Sequence, residues 1–326
     1  MEIGLIGLGN MGTAIAVLMA GKGHNVLAWE YHASVVKEVN KRHVNTRFLP
    51  GVVLPPSIRA TADLEQVVGS CDTLCIAIHT IFFREVLVPF SNRLAPGSLV
   101  VNLAKGIEED TCKTPSQVLG EIFPQARVVV LSGPTIANEF SLGCPAAAVI
   151  AGESMEDLHR AASFLDTESF RTRFSGDVIG VEWGGVLKNV YAIGLGLMDG
   201  VGMESLNFKA AFLTRALREM MTFVNALGGD GKTVCSIAGL GDLLATALSL
   251  HSHNRRMGEL LGQGLTLEEV EREIGVIPEG YRTLKAVLYL AEKHCIFLPL
   301  AGSIWDMITG GVSPESVARD FIRLSV

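Results

Sequence analysis

Glu2-Ile3-Gly4-Leu5-Ile6-Gly7-Leu8-Gly9-Asn10-Met11-Gly12-Thr13 reads as a short apolar strand, a turn with glycines spaced GxGxxG, and the start of a helix. In that context Gly7 permits the tight turn, Gly9 lets backbone N–H groups approach a pyrophosphate, and Gly12 lets the helix lie close on the strand, its N-terminus facing the anion. The next strand ends at Trp29-Glu30, and Glu30 follows Gly12 by 18 residues, where an acidic side chain bonds the ribose 2′-OH of a bound dinucleotide. The cofactor expected is NAD or NADP. A carboxylate at 30 accepts from the 2′-OH and repels a 2′-phosphate, which favours NAD. The competing reading makes Glu30 a solvated strand-end carboxylate and His32 the phosphate contact.

Outward from this motif, short β-branched runs alternate with helical stretches. Ile3–Ile6, Asn25–Trp29, Thr73–Ile78, Leu99–Leu103, Val128–Leu131 and Ala146–Ile150 are strand candidates, several of them continuously apolar, as in a parallel sheet covered on both faces. After Val178 the strand signal fades. Helices are predicted over Val178–Met198, Phe208–Leu227, Arg255–Leu261, Leu267–Ile274, Arg282–His294 and Pro314–Arg323, with a capping box at Thr266/Glu269 and an N-cap plus N1 proline at Ser313-Pro314. The class is α/β: a Rossmann-like doubly wound domain over residues 1–177, followed by an all-helical substrate and catalytic domain over 178–326, with a cleft expected between them.

Composition narrows the function. The 326 residues carry 27 Lys and Arg against 34 Asp and Glu, a net charge of −7, and are 48% hydrophobic. With no basic stripe, nucleic acid is excluded as a partner, and an anionic substrate must be held by a few local cations. The cysteines at 71, 75, 112, 144, 235 and 295 form no CxxC pair and no zinc spacing, and fit a reducing cytoplasm. No signal peptide is expected before Glu2, and Glu182 and Lys188 interrupt the most apolar segment, so no transmembrane span is expected. No metal site is expected either. His251 and His253 form an H-x-H without further ligands nearby in sequence. Gly194, Gly196, Gly200 and Gly202 allow close helix contact and a homodimer surface.

Four clusters carry candidate chemistry. Lys105-Gly106 and Gly133-Pro134-Thr135 each end a predicted strand, the side on which open parallel sheets bind ligands. Lys188 interrupts an apolar, glycine-rich helix, and a lysine there is paired, reaches the edge, or faces a polar cleft where it can exchange protons. Asp242 stands alone among glycines and aliphatics in Ala238–Leu243, and Ser252-His253-Asn254-Arg255-Arg256 has the amide and guanidinium groups of an anion grip.

Nine ordered runs then make the chain recognisable: GLIGLGNMGTAIA, NTRFLPGVVLP, AKGIE, LSGPTIANEF, IGVEWGGVLKNVYAIGLGLMDG, AFLTRALREM, IAGLGDLLAT, HNRRMGELLGQG and PEGYRTLKAV. The chain resembles the bacterial NAD(P)-dependent glycerol-3-phosphate dehydrogenase family along nearly its full length. The resemblance implies reversible hydride transfer between a nicotinamide and C2 of dihydroxyacetone phosphate or sn-glycerol 3-phosphate, a small phosphate substrate on the route to phospholipids. Lys188 falls on the catalytic lysine, with Lys105 and Asp242 beside it in the catalytic set. Lys105, Gly133, Thr135, Lys188, Asn189, Asp242, Thr246, Ser252, His253, Asn254 and Arg255 fall on substrate-site positions. Asn10, Met11, Lys105, Ala137, His253, Ile277 and Glu279 fall on cofactor-site positions, beside Gly7, Gly9, Gly12 and Glu30 of the glycine motif. Three departures stand out: His253 where the family carries an arginine, Met11 in place of a bulky aromatic, and Glu30 where a small residue is common. A histidine cannot form the guanidinium fork, so weaker and more pH-sensitive phosphate binding is expected, with Arg255 or Arg256 compensating in part.

Overall fold

β1 (Glu2–Ile6) holds Ile3, Leu5 and Ile6 in complete burial, the state of a strand covered on both faces. The computed structural model of the chain describes residues 1–249 and 252–324 and separates them into two units, 1–108 with 113–178, and 109–112 with the chain from 179 onward. The short stretch 109–112, which the sequence reading leaves in the first domain, therefore groups with the second unit.

In the first unit the further strands are β2 (Asn25–Trp29), β3 (Val44–Asn45), β4 (Leu49–Val53), β5 (Ile58–Thr61), β6 (Thr73–Ile76), β7 (Leu99–Asn102), β8 (Arg127–Ser132), β9 (Ala146–Ala151) and β10 (Phe170–Ser175). Among the described residues they form an eight-stranded sheet in the order β10-β9-β8-β7-β6-β1-β2-β5, with β3 and β4 as a separate antiparallel hairpin. The chain builds outward through β2 and β5 on one side of β1 and through β6, β7 and β8 on the other. The order thus reverses at β1, whose carboxyl end carries the glycine loop.

The helices are α1 (Asn10–Gly21), α2 (Ala33–Arg42), α3 (Leu64–Ser70), α4 (Phe83–Leu87), α5 (Pro115–Ile122), α6 (Ala137–Phe140) and α7 (Met155–Leu165). Ile15 and Met19 of α1, Val39 of α2 and Phe164 of α7 pack one face of the sheet; Val67 of α3, Phe83 of α4 and Leu119 of α5 pack the other. One expectation is corrected. The sheet is not wholly parallel, because β8 and β9 pair antiparallel, Leu131 opposite Ile150, and β10 follows the direction of β9. The cause is the 133–145 connection, whose helix is the four-residue α6, too short to carry the chain back along the sheet as a crossover helix does. β10 was also absent from the strand candidates, although Phe170, Thr172 and Phe174 alternate with Arg171 and Arg173 as an edge strand does.

The second unit contains α8 (Val178–Gly200, entered from the first unit), α9 (Leu206–Ala226), α10 (Gly231–Val234), α11 (Asp242–Leu248), α12 (His253–Gly262), α13 (Leu267–Ile274), α14 (Glu279–Lys293), α15 (Pro299–Ile308) and α16 (Pro314–Leu324). The capping box forms as read: Thr266 N–H donates to Glu269 at 2.8 Å, and Glu269 N–H to the Thr266 hydroxyl at 3.3 Å. The glycines of α8 have a use inside the chain. A Cβ at Gly196 would lie 2.1 Å from the Arg255 carbonyl oxygen, and one at Gly258 would lie 2.1 Å from that of Ile193. Gly200 and Gly262 meet the opposite backbone in the same way, so α8 and α12 cross with their main chains in contact. That contact takes up Gly196 and Gly200, two of the four glycines behind the expected dimer surface. Gly258→Ala should therefore cost about 3 kcal/mol in urea unfolding, since backbone rather than a movable side chain blocks the new methyl. Gly302→Ala in α15, where a Cβ meets nothing within 4 Å, should instead stabilise by up to about 1 kcal/mol.

Glu219 caps the buried start of α15, accepting from Leu300 N–H at 2.6 Å and Ala301 N–H at 3.0 Å, with the Tyr191 hydroxyl donating at 3.2 Å. Burial raises its carboxyl above the ordinary 4.5, against the opposing pull of those N–H groups, Arg215 and Tyr191. The unfolded chain then releases this proton first as pH rises. Compared with Glu219→Gln, the native protein should lose stability from about pH 4.5 until the raised native value is passed, and stay level above it. Thermal unfolding of both proteins between pH 4 and about 8 measures the difference.

Candidate active site

The glycine loop is shaped by what its neighbours forbid. Gly7 has φ +103°, and a Cβ there would lie 2.9 Å from the Ala77 carbonyl oxygen. A Cβ at Gly12 would fall 2.0 Å from the Gly7 carbonyl oxygen, so helix and strand touch backbone to backbone. Gly9 is different, since a Cβ there meets nothing within 4 Å. It is also the N-cap of the twelve-residue α1, makes no side-chain cap, and is followed by no acidic residue in the first turn. Open space in front of uncapped helix N–H groups fits a pyrophosphate.

Glu30 is buried, at 5% exposure, which corrects the reading of a solvated carboxylate. Its Oε1 accepts from His32 N–H at 2.8 Å and meets His32 Nδ1 at 2.6 Å, while Oε2 accepts from Leu8 N–H at 3.1 Å. Asn10 donates from Nδ2 to the Phe48 carbonyl at 2.8 Å and to Asn138 Oδ1 at 2.7 Å, which joins the loop to α6, where Ala137 lies buried. Met11 packs on the core below the loop.

Two strand ends along the sheet, Lys105 and Gly133 come together. The Asn102 amide braces the turn after β7 by bonding both Ala104 N–H and Ala104 C=O, at 3.0 and 3.1 Å. Lys105 Nζ donates to the Gly133 carbonyl at 2.9 Å, and the Thr135 hydroxyl donates to the same oxygen at 3.2 Å.

In the second unit Lys188 is 8% exposed on α8 and ion-pairs with Asp242, itself 2% exposed. The approach depends on Gly184, where a Cβ would sit 3.0 Å from the Ala238 carbonyl oxygen. A wide turn of the π type over Ile237–Gly241 then delivers Asp242 as the first residue of α11, and Thr246, one helical turn on, donates to Asp242 Oδ1 at 3.5 Å. Asn189 follows Lys188, and its backbone faces Gly280, whose N–H donates to Asn254 Oδ1 at 3.0 Å. Ile277 and Glu279 lie in the approach to that same α14 start.

The proposed anion grip is only partly as read. Ser252 caps α12 by accepting from Arg255 N–H at 3.2 Å, and His253 is exposed at the first position of the helix. Arg255, however, turns back to Asp199 Oδ2 with Nε at 3.2 Å and Nη2 at 2.7 Å, and pairs with Glu259 as well. Arg256 pairs with Glu259 and Glu273. His251 lies outside the described residues. Sequence reasoning missed Asn45, Thr13, Asn138 and Asp199, although all four lie inside runs that carried the resemblance and their polar character is the available signal.

Residues 2–158 match the profile described as NAD-dependent glycerol-3-phosphate dehydrogenase N-terminus, and residues 177–319 match its C-terminus. The chain is 38% identical over 325 residues to a glycerol-3-phosphate dehydrogenase (NAD(P)+) of Chlorobium phaeobacteroides, covering 99% of this chain and 97% of the relative. It is 36% identical to the enzyme of that name from Lysinibacillus sphaericus, covering 99% and 96%. A crystal structure of glycerol-3-phosphate dehydrogenase from Coxiella burnetii superposes with TM-score 0.92 at 30% identity, over 98% of each chain.

Removing the carboxylate beside Lys188 leaves a buried ammonium without that charge partner. Asp242→Ala should destabilise by about 3 kcal/mol, and Lys188→Met in the same chain should recover most of the loss. Equal losses in the single and double variants, measured by denaturant unfolding, would show that the two side chains do not act as a pair.

Proposed function

The chain belongs to the NAD-dependent glycerol-3-phosphate dehydrogenase family, matched in both of its parts, and on that footing we propose how its residues carry the reaction. It is an NAD(P)-dependent oxidoreductase that interconverts dihydroxyacetone phosphate and sn-glycerol 3-phosphate, the backbone for phospholipid synthesis. The observation that supports the assignment of roles is the buried Lys188–Asp242 pair.

The bound nicotinamide supplies or takes the hydride. Lys188 acts as the general acid and base: in reduction Nζ–H gives its proton to the oxygen on C2 as that atom takes the hydride, and in oxidation Nζ takes the proton back. The ammonium also stabilises negative charge developing on that oxygen, strongly so because Lys188 and Asp242 are buried. Asp242 fixes the direction of Nζ, and Thr246 holds Asp242. Lys105, set by Gly133, contributes a second cation for substrate and cofactor, and Thr135 a hydroxyl. Asn189, Ser252, His253 and Asn254 line the substrate side. Arg255 supports Asn254 and His253 by anchoring α12 through Asp199, in place of gripping phosphate itself. Gly7, Gly9, Asn10, Met11 and Gly12 hold the pyrophosphate end, with Ala137, Ile277 and Glu279 as further cofactor contacts.

NAD is favoured over NADP. Glu30 Oε2 has one hydrogen bond, from Leu8 N–H at 3.1 Å, and so keeps acceptor capacity for a ribose hydroxyl, while its charge opposes a 2′-phosphate. Among the described residues no helix is long and apolar enough to cross a membrane, and all six cysteines are free thiols, which supports a place in the cytoplasm.

Steady oxidation of NADH with dihydroxyacetone phosphate tests the reading. Lys188→Ala should lower kcat by about 10³-fold while circular dichroism stays native. kcat/KM should favour NADH over NADPH by about tenfold or more, and Glu30→Gln should narrow that ratio. A wild type that uses NADPH as well as NADH would remove the cofactor preference.

A further inference from the structure

Asn45, at the end of the two-residue strand β3, is completely buried, and nothing in its own neighbourhood of sequence explains why an amide should be there. Its partners lie on the glycine loop. Nδ2 donates to the Leu8 carbonyl at 2.8 Å and to the Thr13 hydroxyl at 2.8 Å, and Oδ1 accepts from Phe48 N–H at 3.3 Å. The Thr13 hydroxyl, with a single proton to give, donates it to the same Leu8 carbonyl at 2.9 Å. Leu8 is thus held from both ends, its N–H by Glu30 and its C=O by Asn45 and Thr13.

The consequence follows from the planarity of the peptide. The Leu8 carbonyl and the Gly9 N–H belong to one trans peptide unit, so they point in opposite directions. Two donors that draw the carbonyl into the core aim the Gly9 N–H outward, and Gly9 itself borders open space, since a Cβ there would meet nothing within 4 Å. The same hairpin touches the loop again one step on, where the Phe48 carbonyl receives Asn10 Nδ2.

We infer that Asn45, acting with Thr13, is a positioning residue that aims the Gly9 N–H at the cofactor pyrophosphate, and that the β3–β4 hairpin is the brace of the cofactor loop. The inference rests on the reading that this loop holds the pyrophosphate. A glycine-rich turn has many conformations open to it, and fixing the one peptide orientation that binds the anion before it arrives removes that ordering cost from binding. Asn45 touches neither substrate nor cofactor. Its loss should therefore appear in affinity for the cofactor and not in the chemical step.

The test is NADH binding by calorimetry together with steady-state kinetics on the full chain. Asn45→Ala should weaken NADH binding and raise KM for NADH by about tenfold, with kcat at saturating NADH changed by less than about twofold and KM for dihydroxyacetone phosphate unmoved. Thr13→Val, which keeps the shape and removes the hydroxyl, should weaken NADH several-fold, and Thr13→Ser, which keeps the hydroxyl, should restore it. The double variant should lose less than the product of the two single losses, because both donors serve one carbonyl. If Asn45→Ala does not fold, the Thr13→Val and Thr13→Ser comparison decides alone. Folded Asn45→Ala and Thr13→Val proteins that bind NADH as tightly as wild type would overturn the inference, as would a fall in kcat with KM for NADH unchanged. A wild type that binds no NADH would instead overturn the reading of the loop itself, and the brace with it.

Discussion

An ammonium group cannot be buried inside an apolar helix without a carboxylate to meet it, and the second unit is arranged around that requirement. Lys188 occupies α8 among Val186, Leu187 and Val190, all without exposure. An unpaired charge there would be neutralised or would break the packing. The carboxylate must come from another element, so α8 needs a face thin enough for a second backbone to reach it. Gly184 provides the face, the Ile237–Gly241 turn lies against it, and Asp242 follows at once. The glycines and the charged pair are thus one device. The small residues let the main chain in, and the main chain carries the counter-ion.

The first unit solves a related problem with neutral groups. A loop that presents backbone N–H groups to an anion must keep its carbonyls pointing the other way, and inside a core those carbonyls need donors. Asn45 and Thr13 supply them for Leu8, and Glu30 accepts the Leu8 N–H. In both units the groups expected to meet ligand are held by buried polar residues.

That division explains what could be read from the sequence. Gly7, Gly9, Gly12 and Lys188 were legible because spacing or hydrophobic context marks them singly, and the helix caps at Thr266 and Ser313 because capping is local. Six of the strands were legible as apolar runs. The reversal at β9 was not, since direction depends on the length of α6, and a four-residue helix leaves little pattern. Asn45 was hidden because its partners lie 32 and 37 residues away. The pairing of Arg255 was hidden for a related reason: an arginine beside an asparagine and a serine looks like an anion site, and the Asp199 that it bonds lies 56 residues distant in sequence.

The fate of Arg255 and Arg256 bears on the chain's acidity. In a protein of net charge −7 carboxylates outnumber Lys and Arg, and those two arginines are bound to Asp199, Glu259 and Glu273. The run that looks richest in positive charge therefore offers a phosphate less than its composition implies. What α12 presents at its start is the exposed His253, the Asn254 amide and the helix N-terminus itself, a set built from hydrogen-bond donors more than from fixed charge. In the proposed reading such donors would hold a phosphate by geometry, and geometry here depends on the α12 axis staying where Asp199 and the bare crossing of Gly196 with the Arg255 backbone place it. An arginine at 253 would tolerate a shift of the helix, because a long flexible cation can follow its anion. With a histidine in that place, the phosphate site proposed for the start of α12 would depend on the rigidity of the α8–α12 crossing.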